Sequence, residues 1–126
     1  MIIRALEHKD IEGLNEIHER HYSREFPSPD FMDKYICAFV VVNDSGKIIS
    51  GGGIRTILES VILTDKDLPI KERRDALLEV LKASIFIAKD AKYDCIHAFS
   101  TELPWLRHLI KIGFKKAKGE ALVLEV

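Results

Sequence analysis

The feature that most constrains this chain is a long helical pattern from about residue 70 to residue 91, opened by Pro69. Leu77, Val80, Leu81, Ser84, Ile87, Ala88 and Ala91 recur along one stripe, and Ile85 and Phe86 add apolar surface on the other side. A helix that is apolar nearly all round in its second half must be covered on two faces. The cover is either the N-terminal helical region or a second subunit, and the latter points to a homodimer. Extended apolar runs stand on both sides of the helix, at 59–64 and at 94–99. Strands separated by a long helix are joined by a parallel crossover, so a β-α-β unit is expected here.

Upstream, residues 2–6 suit a short strand. Asp10 is placed to cap a helix on which Ile11, Leu14, Ile17, His18 and His21 recur. Pro27, Ser28, Pro29 and Asp30 make 23–33 a loop or broken helix. Residues 35–43 are rich in β-branched and aromatic types, and Gly46-Lys47-Ile48-Ile49 opens a second such run. Asn43-Asp44-Ser45-Gly46 between them is hairpin-turn chemistry. Strand character continues through 54–57, and Gly51-Gly52-Gly53 marks a bulge or a close backbone approach. The expectation is an antiparallel meander.

Downstream of the long helix, Ser100 or Thr101 caps a further helix that tolerates Pro104 in its first turn. Leu103, Leu106, Leu109 and Ile110 form its buried face, and Gly113 ends it. Phe114 and residues 121–126 supply closing strands. The full order, β-α-β-β-β-α-β-α-β, predicts one α/β domain over 1–126. Its mixed sheet is antiparallel at the start and parallel later, with helices on both faces.

Composition serves mainly to exclude. A length of 126 residues is one domain's worth of chain. A net charge of -1 with interspersed signs gives no strong nucleic-acid signal. With 47% apolar residues the chain lacks the profile of a disordered one. No apolar stretch is long enough for a membrane span, and Met1-Ile2-Ile3-Arg4 lacks a signal-peptide build, so a cytoplasmic location is expected. Cys37 and Cys95 lie in apolar runs and read as small, reduced, buried hydrophobes.

Three segments carry a likeness to a known family. Gly46-Lys47-Ile48-Ile49-Ser50-Gly51-Gly52-Gly53 is similar to a strand of the form Gly-Lys-apolar-apolar-Gly. Glu59-Ser60-Val61-Ile62-Leu63-Thr64 is followed by a loop and the helical Ile70-Lys71-Glu72-Arg73-Arg74. Pro104-Trp105-Leu106-Arg107-His108-Leu109-Ile110-Lys111-Ile112-Gly113-Phe114 ends in Lys-x-Gly-Phe. In that order, over essentially the whole chain, the sequence resembles the GNAT superfamily of N-acyltransferases. Compact, divergent chains of that kind also occur on bacteriophage genomes.

The resemblance implies an acetyl-CoA donor and an amine acceptor. Ile62, Leu63 and Thr64 would line the pantetheine arm. Ile70, Lys71, Arg73 and Arg74 would hold the phosphates at a helix N-terminus, where orphan N–H groups and the dipole favour an anion. Glu59 would deprotonate the amine, and His108 is the candidate acid. The chain departs from the family at three places. Glu72 and Arg74 stand where phosphate-loop glycines are usual, Leu109 replaces the usual tyrosine acid, and Glu102 stands near the usual asparagine.

Each of these residues also has a plainer reading. Glu59 can be a solvent-facing strand-end charge, and His108 a half-exposed helix residue. His97 can point at a cleft or at the core, a satisfied core histidine being the plainer case, and Trp105 reads as a packing anchor or rim residue. His18 and His21, three apart, lack a third ligand at a recognised spacing, so no metal site is expected. Neither cysteine has a paired histidine. Arg24-Glu25-Phe26-Pro27 falls where the family places its acceptor-binding segment. The leading expectation is an acetyl-CoA-dependent N-acetyltransferase. The alternative is a GNAT-fold binding or structural module without chemistry, and a third reading is a transferase using another acyl or aminoacyl donor.

Overall fold

A computed structural model describes residues 1–126. It is a small mixed α/β structure with a three-stranded antiparallel sheet and three α-helices. The chain divides into two compact units, Met1–Ile57 and Leu58–Val126. No helix is long and apolar enough to cross a membrane.

The first unit is a sheet carrying one helix. Strands β1 (Ile2–Ala5), β2 (Tyr35–Val42) and β3 (Ile48–Arg55) pair antiparallel in that order, with Ile2 opposite Val42 and Ala38 opposite Gly53. The predicted hairpin is present. Gly46 takes φ +80, and the Asn43 side-chain oxygen accepts from the backbone N–H groups of Ser45 and Lys47 at 3.1 and 2.9 Å. The β2–β3 register slips between Tyr35 and Cys37 and again between Val41 and Val42, so the bulges flank the glycine run rather than sit on it. The glycines serve close approach instead. A Cβ on Gly51 would meet the methyls of Leu14, and one on Gly53 would meet the Cys37 carbonyl oxygen.

Helix α1 (Ile11–His21) lays Leu14 into the core formed with Val40 and Val42, flanked by Leu6, Ile17, Phe31 and Ile48. Its entry differs from expectation. Asp10 makes no side-chain cap on α1. It is 4% exposed and takes a two-pronged pairing from the Arg4 guanidinium at 2.6 and 2.8 Å, while also accepting from the Glu7 N–H at 2.9 Å. Those bonds close the short 3-10 turn His8–Asp10 that precedes the helix. A carboxylate with a fork-shaped cation in reach satisfies more of its lone pairs there than at a helix cap.

The second unit is helical. Helix α2 (Ile70–Asp90) buries Leu77 and Ala88 and half-buries Leu81 and Ser84, a stripe at i, i+4, i+7 and i+11. Val80 and Ile87, expected on that stripe, lie off it and are exposed, as is Phe86 at 73%. Helix α3 (Leu103–Lys111) takes Glu102 as its N-cap, one residue after Thr101 and two after Ser100, with the Ser100 hydroxyl oxygen accepting from the Glu102 N–H at 3.1 Å. It buries Leu109 and half-buries Trp105, Leu106 and Ile112, while Leu103 and Ile110, expected inside, are exposed.

Both helices stop in the same way. In α3 the Phe114 N–H reaches the Leu109 carbonyl at 3.0 Å and the Gly113 N–H reaches that of Ile110 at 3.2 Å. In α2 the Tyr93 N–H reaches Ala88 and the Lys92 N–H reaches Lys89. This double closure needs a positive φ at its hinge, supplied by Gly113 at φ 115 and by Lys92 at φ 60.

The strands expected at 59–64, 94–99 and 121–126 are not formed as ladders. The first two meet at a single bridge, Glu59 with His97, in the parallel sense that a crossover through α2 requires. Residues 121–126 pair with nothing, and Leu122, Val123 and Leu124 are exposed. Alternation and β-branching make a segment extended, but a ladder also needs a partner at the right register. Of the two cysteines, Cys37 is half-buried and Cys95 exposed, correcting the expectation that both are buried; neither is in a disulfide.

Candidate functional site

Within the second unit, the two extended segments and the two helices enclose a cleft of about 830 Å³. Its floor plan follows from the bridge. The His97 N–H donates to the Leu58 carbonyl and the Ser60 N–H to the His97 carbonyl, both at 2.8 Å, and no backbone hydrogen bond continues the pairing beyond them. Past the bridge, residues 59–64 line one side of the cleft and Ala98, Phe99 and Ser100 line another. The first segment keeps a strand's alternation. Ser60, Ile62 and Thr64 are half-buried, while Val61 and Leu63 are exposed, Leu63 at 95%. Its backbone N–H and C=O groups are open for an extended ligand to pair with, as an added strand would.

Helix α2 contributes Ile70, Arg73, Arg74 and Leu77. Those positions are i, i+3, i+4 and i+7, one helical face. Lys71 and Glu72 fall off that face and outside the lining. Pro69 at the N-cap offers no side-chain acceptor, so the first-turn N–H groups of a 21-residue helix are uncapped. The Arg73 Nε is buried without a hydrogen-bond partner. Arg74 reaches only its exposed neighbour Asp75, at 3.3 Å. Open N–H donors, the helix dipole and two guanidinium groups together make this end suited to an anion.

Helix α3 contributes Trp105, His108 and Leu109, with Phe114 brought in after the Gly113 turn. The Trp105 and His108 rings stack at 5.9 Å and 29°. Near the start of α3, Glu102 lies 3.9 Å from Lys66. Both side chains are exposed, so the pair adds little stability.

Glu59, Ile62, Leu63, Thr64, Ile70, Arg73, Arg74 and His108, all expected as site residues, line this one cleft, and Lys71 does not. His97 is not the satisfied core histidine expected. It is half-buried, stacked on Phe99 at 6.3 Å and 11°, and its Nδ1 is buried without a partner. His18 is engaged locally, its Nε2 donating to the Phe26 carbonyl at 2.7 Å. Trp105, expected as an anchor or rim residue, lines the cleft. Sequence reasoning missed Ser60, Leu77, Phe99 and Ser100 as lining. Helical spacing applied from Ile70 would have selected Leu77 and rejected Lys71.

The arrangement can hold an elongated molecule with an anionic end at the start of α2 and an amide-bearing arm along 60–64. A carboxylate, Glu59, and an imidazole, His108, stand in the same lining. No protein-family model matches the chain, and neither does a curated protein or a solved structure.

Proposed function

We propose that this chain is an acyltransferase of the GNAT type, moving an acyl group from coenzyme A to an amine. The observation that carries the reading is the opening between 59–64 and 98–100. Two segments that start as a parallel pair leave their backbone unpaired around a cleft, at the mouth of an uncapped helix. The residues present suit the donor. Arg73, with its orphaned Nε, and Arg74 would meet phosphate oxygens along with the first-turn N–H groups of α2. Glu72, the acidic residue of that turn, stays off the lining. Ser60, Ile62 and Thr64 would flank the pantetheine arm.

In the transfer, the amine nitrogen bonds to the thioester carbonyl carbon, and the carbon–sulfur bond breaks. Glu59 takes the proton that the amine gives up, and His108 supplies the proton to the departing thiolate. Open N–H groups along 60–64 would face the developing oxyanion. Alignment of donor and acceptor supplies much of the rate in such a site.

A second reading is favoured by one observation. The position that would carry a tyrosine hydroxyl holds Leu109, sealed at 4% exposure in the cleft wall. On that reading the protein binds the donor or a similar anion and performs no transfer.

The test is calorimetric titration of the purified protein with acetyl-CoA, with desulfo-CoA and the 3′-dephospho form as controls. Micromolar binding is expected, and reversing charge at Arg73 and Arg74 should weaken it about tenfold or more, since each hydrogen bond to a charged group contributes roughly 1.5–3 kcal/mol. Absence of heat at millimolar ligand overturns the proposal. Binding without transfer to any amine in a screen selects the second reading.

A further inference from the structure

Part of the cleft lining in the second unit is hydrocarbon, contributed from three directions. Leu77 of α2 and Leu109 of α3 both line it and are only 3% and 4% exposed. Phe114 joins them because the double closure at Gly113 returns the chain to the end of α3, and a hydrophobic residue there commonly packs back towards the position of Leu109. Ile62 adds a half-buried aliphatic group from the extended segment. The hydroxyl-bearing lining residues, Ser60, Thr64 and Ser100, all stand on the extended segments and none on a helix. The helix residues of the lining therefore offer charge at Arg73 and Arg74, ring nitrogens at Trp105 and His108, and hydrocarbon at Ile70, Leu77, Pro104 and Leu109.

Size points the same way. About 830 Å³ lies high in the range of roughly 300–1,000 Å³ that houses drug-sized ligands. Leu77 and Leu109 are already out of water, so the gain from a longer acyl chain comes from its own methylenes leaving water against this lining.

We propose that the site selects acyl thioesters bearing a medium-length, unbranched hydrocarbon chain over acetyl, with Leu77, Leu109 and Phe114 as the surface that reads chain length. This rests on the acyl-thioester reading of the cleft. A fully buried methylene tightens binding about fourfold, and a half-buried one about twofold.

The experiment is isothermal titration of the intact protein with coenzyme A and its acetyl, butyryl, hexanoyl and glutaryl thioesters. Hexanoyl-CoA should bind at least about tenfold tighter than acetyl-CoA, with butyryl-CoA between them. Glutaryl-CoA, similar in length but ending in a carboxylate, should bind no tighter than acetyl-CoA, because its charge would have to leave water. Equal affinity for the acetyl and hexanoyl thioesters, with coenzyme A itself bound, overturns chain selection and leaves the donor site standing. No heat with any of them overturns both. Leu109→Trp fills the wall and should lower the ratio of hexanoyl to acetyl affinity. Phe114→Ser, at a half-buried position beyond the helix end, tests the same ratio without disturbing a buried helix residue. If neither variant moves the ratio, the selecting surface is not the one named.

Discussion

The two units use extended backbone in opposite ways. In Met1–Ile57 the strands are laddered, β2 pairs on both sides, and Val40 at its centre is fully buried. In Leu58–Val126 two extended segments with a shorter apolar run pair through one bridge and then border a cleft. The contrast teaches that an apolar, β-branched run is not by itself a strand. Where the run finds partners on both edges it becomes core. Where it finds one residue's worth of partner, its polar backbone is left for something else to satisfy.

The sharpest way to break the first half of the comparison is Val40→Asp. An unpaired carboxylate at a fully buried position should cost roughly 4 kcal/mol and unfold the sheet, seen as loss of amide protection in β2. Retained protection would mean that this sheet is not held by its core.

Acid should act on the same unit. Hydrogen bonding from Arg4 holds the Asp10 carboxyl down to about 2, against its burial. Because the folded value lies below the unfolded one, this carboxylate stabilises the unit in full above about pH 4. That contribution is lost as pH falls from there through 2. Asp10→Asn should flatten this acid limb in a urea titration repeated across pH. An unchanged limb would assign the acid sensitivity to other carboxylates.

The smallest effects belong to the helix ends of the second unit. Gly113→Ala forces a side chain onto φ 115 and should cost about 1–2 kcal/mol. Lys92→Gly, at φ 60 in the equivalent position of α2, should stabilise by about 1 kcal/mol or less. Thermal melts of the two variants should therefore shift in opposite directions. A shared direction would show that the two closures are not equivalent.

Helices and the hairpin were legible because their signals are local. Pro69, the 3.6-residue spacing and Gly113 fixed α2 and the end of α3 within a residue or so. Asn43 and Gly46 fixed the β2–β3 turn. The site was partly legible for the same reason. Alternation places Ile62 and Thr64 on one side of the chain, and helical spacing places Arg73 and Arg74 with Ile70. Lys71 has the charge but not the helical spacing of Ile70, Arg73 and Arg74, so it falls outside the lining. No local signal marks Phe99 and Ser100 as lining; they border the cleft because their segment meets Glu59 at one bridge.

From the sequence alone follow the bodies of the three α-helices, strands β2 and β3 with the turn between them, and that no helix is apolar and long enough for a membrane. Each of those depends on the dihedral preferences and spacing of neighbours. Tertiary structure alone decided which extended segments pair, that Asp10 turns to Arg4 instead of capping α1, and that Leu109 seals a cleft wall. The pairing and the cleft wall depend on partners distant in the chain, and Asp10 on a cation six residues away that competes with the helix end, so the preference of a single residue settles none of them.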